Sequence, residues 1–189
     1  MENINSIKAC SWPGSDPLYI KYHENEWGKP VYDDQILFEF LILEGAQAGL
    51  SWITILRRRE AYRAAFANFD PVKVSQFTES DVERLMLDEG IIRNRLKIKS
   101  AITNARLFLE IQQEFGSFSN FLWEHMPQGA PLLNSVKEMK DVPAKTDISD
   151  LISKKLKKRG FKFFGTTICY AFMQAVGMVN DHLDTCPFK

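Results

Sequence analysis

Helix-start chemistry recurs at short intervals along this chain, and alternating strand patterns are nearly absent. Asp16-Pro17 joins an N-cap side chain to a proline at the first helical position, where a missing N–H is harmless. It predicts a short helix from Asp16 to Trp27. Asp33 or Asp34 opens the next, running to about Gln47. Ser51 is placed to cap a third as far as about Ala67, and Asp70-Pro71 starts a short fourth. Thr78 with Asp81 makes a capping box ahead of Val82–Leu87. Gly90 then breaks the chain. A long helix is expected from about Asn94 to Phe115, and a short one from Ser117 to His125. Met126 to Pro143 holds three prolines and a glycine and reads as a loop. Asp147 or Ser149 caps a basic helix that stops at Gly160. Phe161–Phe164 reads as a short extended crossing, and Gly165-Thr166-Thr167 opens the last helix. Short helices need partners for their apolar stripes. The expected fold is all-α, with residues 1–189 forming one domain, or two small lobes that share a core.

Composition narrows the function classes. Hydrophobic residues make up 45% of the chain and aromatics 12%, which excludes global disorder. No apolar run approaches the roughly 18 residues of a membrane span; Ile36–Leu43 is interrupted by Glu39 and ended by Glu44. Met1–Lys8 has no basic segment followed by an apolar one, so no secretory leader is expected. Three cysteines make no disulfide framework and point to a reducing, cytoplasmic setting. Net charge is zero, with 24 basic and 24 acidic residues, but the distribution is uneven. Residues 1–50 hold 3 Lys against 8 acids. Ile91–Leu107 has five basic residues and no acid, Lys154–Lys162 has six and no acid, and Arg57-Arg58-Arg59 is a third run. Such patches suit a face that binds a polyanion, although charge runs are usually solvated helix faces.

Four constellations carry chemistry. Glu44 lies seven residues after Leu37 and four after Phe40, on the apolar stripe of its helix, whereas Glu39 points elsewhere. A buried carboxylate is costly unless paired or neutralised, so Glu44 is a site residue or an acid satisfied locally at a helix end. The following Gly45–Ser51 reads as a small-residue turn that presents Leu50 and sets Trp52 beside Glu44. Cys10, His23, His182 and Cys186 form a second set. His182 and Cys186 have helical i, i+4 spacing, and two Cys with two His suit a closed zinc site. Buried free thiols with a satisfied core histidine are the alternative. Third, Trp12, Tyr19, Tyr22 and Trp27 crowd within sixteen residues. Aromatic stripes are usually core, but beside a buried carboxylate they also describe a slot for a flat cationic ring. Fourth, Gly90-Ile91-Ile92-Arg93 joins two helices, a hairpin whose turn amides suit a phosphate.

Together these stretches resemble the type I 3-methyladenine DNA glycosylases of bacteria, within the helix-hairpin-helix glycosylase group. The resemblance runs from about Cys10 to Cys186. It rests on Asp16-Pro17-Leu18-Tyr19-Ile20, Tyr22-His23, Asn25-Glu26-Trp27-Gly28, Leu43-Glu44-Gly45 and Gln47–Thr54. Further on it includes Gly90–Arg93, Lys157–Phe163, Gly165–Tyr170 and Val179–His182. The resemblance implies a pocket between two lobes, with a helix-hairpin-helix at about 79–107. It implies structural zinc on Cys10, His23, His182 and Cys186, clamping segments 10–23 and 182–186 together. It makes Glu44 the catalytic, base-binding carboxylate, with Tyr22 and Trp52 lining the pocket and Tyr19, Trp12 and Trp27 nearby. Gly90, Ile92, Arg93 and Leu50 are then the expected DNA contacts. The implied reaction is hydrolysis of the N-glycosidic bond of 3-methyladenine in alkylated double-stranded DNA, by a monomer without strand cleavage, since no lysine is marked as a nucleophile. An inactive helix-hairpin-helix module that senses damage is the alternative. Only Pro187-Phe188-Lys189 follow Cys186, so a frayed last ligand is expected.

Overall fold

The second helix organises everything else. In the computed structural model, which describes residues 10–189, every residue from Leu37 to Glu44 is buried. A helix apolar all round has to be enclosed all round. This one, α2 (Asp34–Gln47), is surrounded by α3 (Trp52–Leu56), α7 (Arg95–Phe115), α8 (Phe118–Trp123) and α10 (Thr166–Ala175). Asp33 caps it by accepting the Ile36 N–H at 3.0 Å. Asp34, its first residue, accepts the amides of Phe118 and Ser119 at 2.8 Å each, tying the start of α2 to the start of α8.

The remaining elements are α1 (Pro17–Asn25), α4 (Arg59–Ala65), α5 (Pro71–Ser75), α6 (Glu79–Leu87) and α9 (Asp147–Arg159). The local start signals hold. Asp16 accepts from Leu18 and Tyr19, Asp70 from Val72 and Lys73, and Asn94 from Lys97. Thr78 and Asp81 form the capping box of α6. Gly160 stops α9 with a left-handed φ of 108°. Thr146, rather than Asp147 or Ser149, is the cap of α9. The described residues are mostly helical; two-residue strands β1 (Leu132–Leu133) and β2 (Val179–Asn180) pair in parallel.

Four expectations need correction. The helix predicted from Ser51 to Ala67 is two helices, broken where Arg58 turns to reach the carbonyls of Glu89 and Gly90. Residues 45–47 belong to α2, so the turn before Trp52 is only Ala48–Ser51. Segment 182–186 is not helical: it follows β2 through turns, with the Cys186 amide bonded to the Leu183 carbonyl. The chain beyond Cys186 is anchored rather than frayed, since the Lys189 ammonium bonds Asn134 O, His182 O (3.3 Å) and Asp184 Oδ1 (2.6 Å). The expectation about Met1–Lys8 lies outside the described residues. Among those residues no helix is long and apolar enough to cross a membrane, and Cys10, Cys169 and Cys186 are all free thiols.

Candidate functional site

α1, α2, α3 and α10 converge on a cavity of about 390 Å³. Trp12, Tyr19, Tyr22, Trp27, Glu44 and Trp52, all expected from the sequence, line it. The aromatic rings are mutually wedged. Trp12 meets Tyr19 edge-on at 4.8 Å and Trp27 at 5.0 Å, and Tyr22 lies 5.5 Å from Trp52. Phe40, one turn before Glu44, stacks behind Trp52 at 6.3 Å. The slot that results is aromatic on several sides and open at its mouth, the form of a site for a planar ring.

Glu44 is 3% exposed and has no hydrogen bond or ion pair among the described residues. Burial alone pushes its carboxyl up from 4.5 to about 8. Its charge in turn adds to the rise already imposed by burial on the hydroxyls of Tyr22 and Tyr19. The indole N–H groups of Trp12 and Trp52 are buried without an acceptor. Unpaired buried polar groups are rare in finished cores and concentrate at sites. A cation entering this slot would restore the charge of Glu44, so the pocket favours a positively charged ring over a neutral one.

The sequence reading missed Gln47, Met139, Val142, Ala171 and Gln174, which complete the lining. Met139 and Val142 come from the proline-containing loop. Ala171 and Gln174 sit three apart on α10, a small and a polar residue within an apolar stripe, which was their only sequence signal. Gln174 is oriented by Asp181, a fully buried carboxylate that also accepts from Tyr170 and Asn134. Glu39 does point away from Glu44 but is buried as well, in an ion pair with Arg59 at 2.5 Å and with Arg63 at 2.9 Å.

On the far side of Trp12 lies the Cys/His set. Cys10, His23 and Cys186 are buried with their donor atoms all within 4.8 Å of one another. Cys186 Sγ is 3.7 Å from His23 Nε2, close to the roughly 3.6 Å separating N and S ligands of tetrahedral zinc. His182 adjoins them, its ring centroid 4.7 Å from that of His23. Its Nδ1 is 2.8 Å from Asn180 Oδ1, while its Nε2 faces the His23 carbonyl at 3.3 Å. Burial lowers its pKa to about 4. The neutral ring has one N–H for two oxygens, so with Nδ1–H given to Asn180 the Nε2 lone pair is left for an electrophile. An outer N–H held by an amide oxygen is a common arrangement for a metal-binding histidine. Cys10, His23 and Cys186 therefore fit zinc as three donors, with His182 beside the cluster rather than within it.

The hairpin turn between α6 and α7 is more self-contained than its sequence suggests. Gly90 N–H donates to Asp88 Oδ1 at 2.8 Å, and Ile92 N–H to the Tyr62 hydroxyl at 3.2 Å. A side chain at Gly90 would bring its Cβ within 2.6 Å of Ala61, so this glycine serves close packing on α4. Arg93 is exposed, loosely facing Glu89 at 3.6 Å. The acid-free run in α7 is not free of acids in space. Arg95 pairs with Glu79 and Glu83, and Lys99 with Glu79. In α9, Arg159 pairs with Glu114, while Lys154, Lys157 and Lys158 have no ion pair among the described residues. Leu50 is 38% exposed at the tip of the α2–α3 turn.

The chain as a whole is similar to known proteins. The methyladenine glycosylase family model matches residues 12–189. The protein named DNA-3-methyladenine glycosylase 1 of Escherichia coli (strain K12) is 54% identical over 183 residues, covering 95% of this chain and 96% of that one. A crystal structure of 3-methyladenine DNA glycosylase I superposes with a TM-score of 0.92 at 52% identity, covering 95% of this chain and 98% of the other. The Staphylococcus aureus enzyme solved to explain 3-methyladenine recognition superposes with a TM-score of 0.92 at 41% identity, covering 95% of each. This chain belongs to the methyladenine glycosylase family.

Proposed function

We propose that the chain is a DNA-3-methyladenine glycosylase of base-excision repair, and that the aromatic cavity around Glu44 is where the extruded base is held. The observation that carries this is Glu44 itself: a buried, unpartnered carboxylate walled by Trp12, Tyr22, Trp27 and Trp52. N3 methylation gives adenine in DNA a positive charge and weakens its bond to the sugar. The ring stacks on the aromatic walls, and Glu44 accepts its N–H groups as the ionised partner of the cation. Water adds to C1′, the C1′–N9 electron pair leaves with the base, which departs neutral, and one proton passes to solvent. Much of the driving force lies in the labile bond, so Glu44 selects the base and stabilises positive charge as it moves onto the sugar. No lysine lines the cavity among the described residues, which supports a hydrolase without a Schiff-base step.

The duplex is the proposed partner. Extruding a nucleotide costs a few kcal/mol, and an apolar tip filling the gap offsets part of that. Leu50, exposed in the turn that follows Gln47 of the cavity lining, is the proposed tip. Arg93 and the hairpin backbone are the proposed phosphate contacts, with the unpaired lysines of α9 supplying long-range attraction. Zinc is proposed on Cys10, His23, His182 and Cys186, where it would clamp the two chain segments and supply no step of the reaction. The test is release of free base from methylated duplex DNA. Wild type is expected to release 3-methyladenine and Glu44→Gln to lose roughly a hundredfold of that rate, since neutral glutamine offers no charge to the cation. Equal release by both would shift selection onto Tyr22 and Trp52. No release by wild type, with DNA binding intact, would favour a damage sensor.

A further inference from the structure

Lys97 behaves unlike the cations on either side of it in α7. Arg95 and Lys99 flank it on α7 and both end on carboxylates of α6. Lys97 reaches none. Its ammonium instead donates to two carbonyls across the core, Ala46 O at 2.8 Å and Ala48 O at 2.7 Å. Both lie at the C-terminal end of α2, where unsatisfied carbonyls and the helix dipole attract a cation. The location has a cost: burial lowers the Lys97 pKa.

What the ammonium holds is the turn that carries Leu50. That turn has little packing of its own. Gly49 is exposed with φ +81°, and a Cβ there would meet nothing within 4 Å. Apart from Lys97 and the Ser51–Thr54 bonds that open α3, its hydrogen bonds come from Gln47, which accepts the Leu50 amide at 2.6 Å on its backbone oxygen and donates its side-chain amide to Leu50 O at 2.8 Å. Gln47 and Glu44 both line the cavity. Lys97 sits in the first turn of α7, three residues after the Asn94 cap that ends the hairpin. One side chain thus joins the element proposed to grip the backbone to the turn proposed to enter the duplex.

We propose that Lys97 is a positioning residue for base extrusion, holding the Ala46 and Ala48 carbonyls so that the Leu50 turn keeps its height above the cavity while the hairpin is seated on DNA. The inference rests on reading the chain as a glycosylase with Leu50 as its duplex-filling tip. Lys97 touches neither base nor sugar; it acts through Leu50.

The test compares wild type, Lys97→Met, Leu50→Ala and the double variant. Single-turnover release of 3-methyladenine from methylated duplex is expected to fall roughly tenfold or more in Lys97→Met, the scale of lost charged hydrogen bonds. Calorimetric affinity for free 3-methyladenine is expected to stay within about twofold, because the cavity is intact. Affinity for undamaged duplex, and its salt dependence, are expected to be unchanged. The double variant is expected to be no slower than the slower single variant, since both act through one turn. Parallel loss of free-base affinity would overturn the proposal in favour of a general structural role. A salt slope shallower by about one would overturn it in favour of direct phosphate contact. Multiplicative losses in the double variant would sever Lys97 from Leu50. A wild type that releases no base would instead defeat the underlying functional reading. If Lys97→Met does not fold, Lys97→Gln, which keeps one donor group, carries the same comparisons.

Discussion

Glu44→Gln is expected to stabilise the ligand-free protein, by an amount that grows with pH. In the folded chain the Glu44 carboxyl is pushed up to about 8, against 4.5 when exposed. Between those values the folded protein keeps a proton that the unfolded chain has released, so raising pH favours unfolding. The slope is about 1.4 kcal/mol per pH unit. Glutamine does not titrate. From pH 5 to 7 the stability gap between variant and wild type is therefore expected to widen by up to about 3 kcal/mol, or roughly 6–10 °C in Tm for a chain of this length. Below pH 4.5 the slope vanishes, because both states of wild type are then protonated. Asp184 and His182 also titrate with shifted values, but they are common to both proteins and cancel in the difference. Thermal and urea unfolding of the two proteins at pH 5, 6, 7 and 8, at constant zinc and ionic strength, measures the gap. A gap that does not change with pH would refute the reasoning, because it would mean that Glu44 is already ionised and paired at pH 5.

Three further outcomes follow from the packing. Arg59, 8% exposed, bridges Glu26 and Glu39 at 2.5 Å each; Arg59→Met is expected to lower stability by about 2 kcal/mol, because buried Glu39 is left with Arg63 alone, with partial recovery in Glu39→Met/Arg59→Met. Urea midpoints would read both, and equal stability of all three would show the pair to be dispensable. Gly177→Ala is expected to abolish soluble folded protein, since its Cβ would lie 2.1 Å from the Lys29 carbonyl carbon at a φ of +65°; a well-folded variant would contradict that close approach. Chelation is expected to remove one zinc per chain and to lower Tm, with Cys186→Ser already metal-poor. Metal analysis finding no zinc in protein purified without chelator would remove the clamp.

Local chemistry was legible in the sequence and long-range chemistry was not. Caps at Asp16, Asp33, Asp70, Thr78 and Asn94 are decided within three or four residues, and each is where the sequence puts it. The break at Arg57–Arg58 has no glycine or proline to announce it; it coincides with a contact between the Arg58 side chain and the carbonyls of residues 89 and 90, distant in the chain. Glu39 misled because stripe analysis assumes one wet helix face, and α2 has none. The hairpin helix looked free of acids because its counter-charges stand on the preceding helix. Glu44 and its aromatic neighbours were visible because a charge on an apolar stripe is anomalous wherever the chain goes. Met139, Val142 and Gln174 are ordinary residues that only the fold turns into walls.

The arrangement of indoles gives this protein a built-in optical probe. Three of its four tryptophans, Trp12, Trp27 and Trp52, line the cavity, and Trp12 and Trp27 are close enough to exchange excitation. The fourth, Trp123, stands apart, its N–H fixed to Val31 O at 3.2 Å and its ring against Tyr32. A purine stacked on one member of the cavity set would quench emission shared among its neighbours, while Trp123 supplies a constant background. Occupancy of the cavity can thus be followed by the protein's own ultraviolet emission without any attached dye.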